Sequence, residues 1–148
     1  MRVFIDVNVF GDEWFQTILS ELVETDCVRF SYSEVDKLTH ELEKVSQALK
    51  FYKLMGEMNR RDSAESTQVQ SQIEYLESHV SWRNEASCDD PHIFAIVREI
   101  ATQYIFTNDK RIAKCRGCMN RVIDKRYCSF KLVTNLANYK SSRHKILS

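Results

Sequence analysis

The chain of 148 residues has the usual length of one domain, is 43% hydrophobic and 28% charged, and carries a formal net charge of +0. These values are typical of a globular protein, and because no stretch approaches the ~20 apolar residues of a membrane-spanning helix, we expect no membrane span. With only 3 glycines and 1 proline, residues 1–148 are expected to form a single domain of long helices with short connections.

The first predicted elements are a buried strand and a helix. Residues 3–7 are apolar at consecutive positions instead of alternating, which is typical of a parallel strand covered by helices on both faces. A helix is predicted next, because apolar side chains recur at helical spacing from Trp14 to Val23. A short strand is then expected within residues 27–32.

A helical hairpin is predicted for residues 34–82. An apolar stripe with spacings of three and four residues runs from Val35 to Tyr52, and a second stripe runs from Val69 to Val80. The polar segment MNRRDSAEST separates the two stripes. Because both stripes are helical and the break between them is polar, we expect two antiparallel helices joined by a turn.

The last third of the chain alternates helices with strands. Residues 89–101 are helical by their apolar spacing, residues 104–107 form a short buried strand, and a further helix leads to a last strand in residues 130–133. The alternation predicts an α/β fold with three layers, α/β/α, around a mainly parallel central sheet. Ligands of such sheets bind at the carboxyl ends of the strands. The residues placed at that edge are Asp6, Asn8, Asn108 and Asp109.

Three aspartates stand at or near these strand ends. Asp6 lies in an apolar strand, where an ionised carboxylate costs several kcal/mol unless a partner or a cation compensates it. Asp90 has a structural alternative as the N-cap of a helix, since Pro91 suits the first helical position. Asp109 has a similar alternative as a turn or cap residue. If the fold brings the three together, a hard divalent cation such as Mg²⁺ or Mn²⁺ would resolve their repulsion.

Three motifs of the sequence resemble the PIN-domain family, nucleases that include the VapC-type toxins. FIDVNVF is an apolar strand that ends in Asp6 and Asn8. DDPHIFAIVREIA contains Asp90, with Ile93 three and Ala95 five residues later, as in the family pattern. YIFTNDKRI contains the Thr-Asn-Asp ending of a further apolar strand, with Asp109 last. The resemblance covers residues 3–112, and the three motifs together are more specific than any one of them.

The resemblance also implies a fourth acid, a glutamate followed by an apolar residue in the helix after the second strand. Glu41, followed by Leu42, fits this pattern, and Glu34 is the alternative. The two lie about two helical turns apart, roughly 10 Å, so both cannot reach one ion. Many members carry another acid three residues after the last aspartate, where this chain has Ile112, which implies that a second metal would be weakly held.

The activity implied by the resemblance is metal-dependent hydrolysis of phosphodiester bonds by a toxin-type endoribonuclease. The implied ligands of Mg²⁺ or Mn²⁺ are Asp6, Glu41, Asp90 and Asp109. The side chains implied to position these carboxylates or a water are Asn8, Thr107 and Asn108. An antitoxin protein and a second copy of the chain are the partners implied besides RNA. The alternative function is a PIN-like RNA-binding or protein-interaction module without catalytic activity.

The net charge of zero is the sum of an acidic and a basic segment of the chain. Residues 1–109 hold 10 Lys and Arg against 20 Asp and Glu, whereas residues 110–148 hold 11 against Asp124 alone. The basic segment is expected either to attract a nucleic acid toward the acidic site or to dock on the acidic part of the chain. Its predicted phosphate-binding residues, for which a solvated helix face is the alternative, are Lys110, Arg111, Lys114 and Arg116.

Cysteine and histidine residues offer further ligands. The 5 cysteines are an odd number, and no apolar leader precedes the first strand, so we expect reduced thiols in the cytoplasm. Cys115 and Cys118 have the spacing of half a zinc site, but with Cys128 they supply only three of four ligands, which favours free thiols. His92 lies two residues after Asp90, in a first helical turn, where we expect it to be exposed and outside the catalytic set.

Overall fold

The chain folds around one parallel sheet of five strands in the computed structural model, which describes residues 1–148. The strands are β1 (Arg2–Ile5), β2 (Arg29–Ser33), β3 (Arg61–Ala64), β4 (Tyr104–Phe106) and β5 (Lys131–Val133). Their order across the sheet is β3-β2-β1-β4-β5, and every neighbouring pair is parallel. The four predicted strands are confirmed to within two residues at each end, and β3 was not predicted.

Helices cover both faces of the sheet, so the predicted three-layer α/β/α fold is confirmed. They are α1 (Glu13–Glu24), α2 (Asp36–Glu43), α3 (Ser46–Glu57), α4 (Ser66–Ser78), α5 (Val80–Arg83), α6 (Pro91–Ile100), α7 (Lys110–Met119) and α8 (Leu136–Ile146). Their buried apolar side chains form one continuous core with those of the strands. None of the helices has both the length and the apolar composition needed to cross a membrane.

Strand β1 lies at the centre of the sheet. Val3 is in register with Phe30 of β2 on one side and with Tyr104 of β4 on the other. Val3, Phe4 and Ile5 are all buried, because helices pack on both faces of this strand, and this explains its unbroken apolar sequence. The chain therefore carries Asp6 directly to the carboxyl edge of the sheet.

The predicted helical hairpin over residues 34–82 is wrong, because β3 lies between its two halves. Residues 61–64 pair in parallel with β2 as the edge strand of the sheet. Apolar periodicity does not predict β3, because its sequence is polar. It can be polar because it is an edge strand, which has one unpaired side and is only partly buried here. Asp62 instead binds Arg29 of the neighbouring strand β2 at 2.7 Å and Arg2 of the next strand, β1, at 3.0 Å. Ion pairs thus replace apolar contacts at this edge.

The first half of the predicted hairpin is also divided. Helix α2 ends at Glu43 and α3 begins at Ser46, with Val45 in an extended conformation between them. The apolar stripe continues across this break, which is why the sequence predicts one long helix. The break places Glu41 in the last turn of α2, above the carboxyl edge of the sheet.

Tyr52 of α3 fixes the end of β1 directly before Asp6. Its side chain is 1% exposed, and its hydroxyl donates a hydrogen bond of 2.8 Å to the carbonyl oxygen of Ile5. The same hydroxyl lies 3.3 Å from the amide nitrogen of Ile5 and accepts its hydrogen. Because both contacts go to the residue before Asp6, α3 helps to set the position of that carboxylate.

Replacing Tyr52 with Phe is expected to lower the free energy of unfolding by about 1–2 kcal/mol, because buried backbone groups of Ile5 lose a hydrogen-bonding partner. Urea denaturation of the metal-free protein measures the change. Tyr75→Phe is the matched control, since Tyr75 is 47% exposed. Equal stability losses in the two variants would contradict the role of the Tyr52 hydroxyl.

Candidate metal centre

Four carboxylates meet in one cavity at the carboxyl edge of the sheet. The cavity has a volume of about 280 Å³ and is lined by Asp6, Val7, Asn8, Glu41, Lys44, Val45, Asp90, Asp109 and Arg111. The four predicted acids come from the end of β1, the last turn of α2, the start of α6 and the start of α7. The structure thus brings together residues that are distant from one another in the sequence.

Asp6 is the most buried of the four acids, with 6% of its surface exposed. The hydroxyl of Thr107 donates a hydrogen bond of 2.7 Å to its Oδ2 atom and accepts one of 3.0 Å from the amide of Asp109. Burial raises the pKa of Asp6 to about 6, and the charges of Asp90 and Glu41 add to this, although the Thr107 hydrogen bond opposes it. Asp6 has no cationic side chain in an ion pair with it, so its charge is the least compensated of the site.

Asp90 occupies the N-cap position of α6 but does not cap the helix. Its side chain accepts no capping hydrogen bond, although Pro91 follows at the first helical position. Instead its Oδ1 atom lies 3.2 Å from the ammonium of Lys37, which also donates a hydrogen bond to the carbonyl of Asp89. Capping therefore does not account for the Asp90 side chain, which faces the cavity.

Asp109 both caps a helix and lines the cavity. Its Oδ1 atom accepts a hydrogen bond of 2.9 Å from the amide of Arg111 in the first turn of α7, as the cap alternative predicts. The guanidinium of Arg111 lies 2.8 Å from Oδ2 of Asp109 and also binds Asp89. These hydrogen bonds from Arg111 lower the pKa of Asp109. Asp109 therefore stays ionised at neutral pH.

The structure distinguishes between the two candidate glutamates. Glu41 lines the cavity with the three aspartates, whereas Glu34 lies in a different surface cavity with Asp36 and Glu74. Burial raises the pKa of Glu41, but its contact with His92 and the nearby lysine charges lower it more, so the net shift is downward. Glu41 is thus an ionised carboxylate at the site.

His92 is the residue that sequence reasoning missed. It was expected to be exposed, but its side chain is 0% exposed, and its Nε2 atom lies 3.3 Å from Oε2 of Glu41. Neither ring nitrogen has a hydrogen-bonding partner. One donor atom from each of Glu41, Asp90 and His92 lies within 4.8 Å of the others. The signal that could have found His92 is the unbroken apolar run from Ile93 to Val97, which is typical of a helix buried on all sides.

Asn8 and Asn108 link the ends of the two central strands. The side-chain amide of Asn108 donates a hydrogen bond of 3.1 Å to the carbonyl of Asn8 and one of 2.9 Å to Asp12. Asn8 is exposed and lines the cavity. Thr107 contacts Asp6 directly, whereas the Asn108 side chain binds the Asn8 backbone and Asp12 and none of the four acids.

The four predicted phosphate-binding residues differ in position. Arg111 lines the cavity, and Lys110 is exposed next to it in sequence. Lys114 is exposed and lies 3.8 Å from Glu85. Arg116 is outside the cavity, where its guanidinium donates a hydrogen bond of 2.8 Å to the carbonyl of Phe130 and lies over the Phe130 ring. Lys44, which was not predicted, lines the cavity beside Glu41.

The cysteines do not form a zinc site, and not all of them are reduced. Cys88 and Cys115 form a disulfide that joins the segment before α6 to α7. The expectation of free thiols is therefore wrong for these two residues and is confirmed for Cys27, Cys118 and Cys128. Cys115 and Cys118 cannot act together as half of a zinc site, since Cys115 is already bonded. Spacing along the sequence pairs Cys115 with Cys118, but the fold places Cys88 against it.

A larger cavity, of about 630 Å³, lies at the opposite edge of the sheet. Its lining includes Met1, Gln103 and Phe130, each of which precedes a strand, so it marks the amino ends of the strands. No acidic side chain lines it. The smaller acidic cavity is therefore the better candidate for a functional site, in agreement with the position of ligands on parallel sheets.

The donor set of the acidic cavity suits a divalent cation. Carboxylate oxygens are the ligands that Mg²⁺ and Mn²⁺ prefer, and a buried, ionisable Asp6 beside two further acids needs positive charge. An ion held there could polarise a phosphate and activate a water. No protein-family model, curated protein or solved structure matches the chain. The function is therefore inferred from the geometry and chemistry of the site.

Proposed function

We propose that the protein is a metal-dependent endoribonuclease of the PIN-domain type. The observation that carries this proposal is the convergence of Asp6, Glu41, Asp90 and Asp109 in one cavity at the carboxyl edge of the sheet. The motif resemblance named the same four residues from the sequence, and the fold that it implies agrees with the observed α/β/α layers. The cavity supports the proposal because Asp6 is buried without a cationic partner.

The proposed cofactor is Mg²⁺ or Mn²⁺, held by carboxylates of the four acids. When bound, the ion would supply a water of lowered pKa and positive charge at the scissile phosphate. Thr107 would orient Asp6 through its 2.7 Å hydrogen bond. Arg111 and Lys44, which line the cavity, would bind phosphate oxygens of the RNA.

The proposal is tested by incubating the protein with total RNA and Mn²⁺ and by mapping the cut sites. Cleavage that requires the metal and stops with a chelator is the expected result. The mapped sequences would also identify the substrate. Intact RNA at every Mn²⁺ and Mg²⁺ concentration, with a protein shown to be folded, would contradict the proposal.

A pair of glutamate variants tests the assignment of the fourth acid. We expect Glu41→Gln to reduce cleavage by about tenfold or more, because Glu41 faces the cavity and one ligand carboxylate is lost. Glu34→Gln is expected to leave cleavage unchanged, since Glu34 lies in another cavity. The measurement is the initial rate on a labelled RNA at fixed Mn²⁺. Loss of activity in the Glu34 variant alone would reverse the assignment.

One observation favours a second function, a PIN-like module that binds RNA or a protein without cutting RNA. Two of the four acids already have cationic partners within the chain, namely Lys37 for Asp90 and Arg111 for Asp109. Such internal neutralisation would suit a cavity that no longer holds metal. Thermal denaturation with excess Mn²⁺ separates the two functions, because only a protein that binds the ion is stabilised by it.

The proposed partners and location follow from the same resemblance. We infer RNA as the substrate, an antitoxin-type protein as a partner that covers the site, and a second copy of the chain as a further partner. The proposed location is the cytoplasm. Disulfides are rare in the cytoplasm, whereas Cys88 and Cys115 form one. Alkylation of free thiols in intact cells tests the proposed location, which predicts that both cysteines are reduced there.

A further inference from the structure

The geometry points to His92 as a nitrogen ligand of a metal subsite formed with Glu41 and Asp90, which makes the site selective for Mn²⁺ over Mg²⁺. This inference rests on the proposed function only in taking the acidic cavity to be a metal site. It adds a ligand and a class of metal that the four carboxylates do not imply. The donors come from two elements, Glu41 from α2 and the other two from the beginning of α6.

The His92 ring is buried, and both of its nitrogens lack a hydrogen-bonding partner. The side chain is 0% exposed, and neither Nδ1 nor Nε2 has a hydrogen-bonding partner. A buried polar group without a partner destabilises the folded state, so buried imidazoles normally donate or accept a hydrogen bond. The cost is recovered if a ring nitrogen coordinates a cation. A ring nitrogen is a common metal ligand in proteins.

The position of Nε2 agrees with this role. It lies 3.3 Å from Oε2 of Glu41, and one donor atom from each of Glu41, Asp90 and His92 lies within 4.8 Å of the others. The Asp90 side chain does not cap α6, and its ion pair with Lys37 involves Oδ1. A contact with Glu41 alone would explain why the two groups are close, but it would leave both ring nitrogens without an aligned partner.

The nitrogen ligand determines which metal the subsite prefers. Mg²⁺ is a hard ion that prefers oxygen ligands and keeps several of its waters. Carboxylate oxygens suit both ions, and Mn²⁺ is the weakest binder of the first-row transition metals, but it is a softer ion than Mg²⁺ and accepts an imidazole nitrogen more readily. A subsite of two carboxylates and one imidazole is therefore expected to bind Mn²⁺ more tightly than Mg²⁺, whereas a site of carboxylates alone would discriminate less.

The test compares metal affinities of the full chain with its disulfide intact, after metal is removed by chelation. Isothermal titration calorimetry gives the dissociation constants of Mn²⁺ and Mg²⁺ for the wild type and for His92→Gln. We expect the variant to lose about tenfold or more in Mn²⁺ affinity and clearly less in Mg²⁺ affinity, since an amide oxygen replaces the ring nitrogen. The control is His40→Gln, because His40 lies outside the cavity and directly precedes Glu41 in α2. Equal losses for both metals, or no loss, would overturn the inference.

A second measurement needs no variant at position 92 and remains decisive if His92→Gln does not fold. Pulsed electron paramagnetic resonance of the Mn²⁺-loaded wild type should detect a directly bound nitrogen, and its coupling should change when only histidine is labelled with ¹⁵N. The chain has 4 histidines, of which only His92 lies with the acids of the cavity. Bound Mn²⁺ without nitrogen coupling would overturn the inference.

These outcomes are independent of the nuclease assay on the same preparation. Nitrogen coupling without RNA cleavage would support the His92 ligand and contradict the proposed activity. Metal-dependent cleavage without nitrogen coupling would support the activity and overturn the His92 ligand. Absence of Mn²⁺ binding to the folded wild type would overturn the inference directly.

Discussion

Asp6→Asn is expected to reduce metal-dependent RNA cleavage by about a thousandfold. A bound metal contributes several kcal/mol of charge stabilisation to the transition state, and each ~1.36 kcal/mol corresponds to a factor of ten in rate. Asp6 is the most buried of the four acids, and an amide in its place carries no charge to hold the ion. The measurement is the initial cleavage rate of a labelled RNA at saturating Mn²⁺.

The same variant is expected to be more stable than the wild type when metal is absent. Burial raises the pKa of Asp6 from its ordinary value of 3.8 to about 6. Above pH 6 the folded protein therefore contains an ionised Asp6 side chain whose burial destabilises the folded state. The difference corresponds to roughly 3 kcal/mol, from about 1.36 kcal/mol for each pKa unit. The asparagine side chain would avoid this cost, and the Thr107 hydroxyl could still donate a hydrogen bond to the amide oxygen.

The pH dependence of the stability difference has a definite sign. The folded state holds the Asp6 proton more tightly than the unfolded state, so this residue favours folding below about pH 4, and the benefit is lost as the pH rises to about 6. The variant's advantage in unfolding free energy should therefore grow between pH 4 and pH 6 and then stay constant. Urea denaturation in the presence of a chelator measures it at each pH.

Asp26→Asn is the control for both measurements, because Asp26 is exposed and lies outside the cavity. It should cleave RNA at the wild-type rate and show little change in stability. Full activity in Asp6→Asn would refute its assignment as a metal ligand. A variant that is less stable than the wild type at pH 7 without metal would show that the Asp6 carboxylate is not costly in the folded protein.

Removal of the Cys88–Cys115 disulfide is expected to lower the free energy of unfolding by about 3–4 kcal/mol. The bond joins residues 27 positions apart, and closing a loop of this length restricts the unfolded chain by about that amount. The double variant Cys88→Ala and Cys115→Ala, which leaves no buried hydroxyl, measures the effect by urea denaturation. Because Cys88 lies two residues before Asp90, the variant should also bind Mn²⁺ more weakly.

Cys118→Ala is the matched control in the same helix, since Cys118 is a free, exposed thiol. Its stability should remain within about 0.5 kcal/mol of the wild type. Alkylation of the unfolded, unreduced protein should modify Cys27, Cys118 and Cys128 only. Modification of all five cysteines, or equal stability of the double variant and the control, would contradict the disulfide.

Much of the fold could be predicted from the sequence because its central strands are buried on both faces. The apolar runs in β1 and β4 depend on that burial, and each is followed by a polar residue of the site. The acids after these strands could be placed at one edge because parallel strands share their direction. The start of α6 was also predictable, since Pro91 marks it.

The remaining features depend on contacts between distant residues. Strand β3 carries Arg61 and Asp62 at a sheet edge, where ion pairs to neighbouring strands replace apolar periodicity. His92 is buried in the first turn of α6, 3.3 Å from Glu41 of α2, and only the apolar run that follows it in the sequence indicates that burial. The partner of Cys115 is likewise fixed by the approach of α7 to the segment before α6.

The central position of β1 has a consequence for the synthesis of the protein. Asp6 is bound by Thr107, which lies 101 residues later in the chain. At the usual rates of translation, the ribosome adds that many residues in roughly 5–20 s. During this interval the nascent chain contains Asp6 but lacks Thr107 and Asp109, so the set of four acids is incomplete. The proposed ribonuclease activity therefore requires that about three-quarters of the chain has been synthesised, since Asp109 is the last of the four acids.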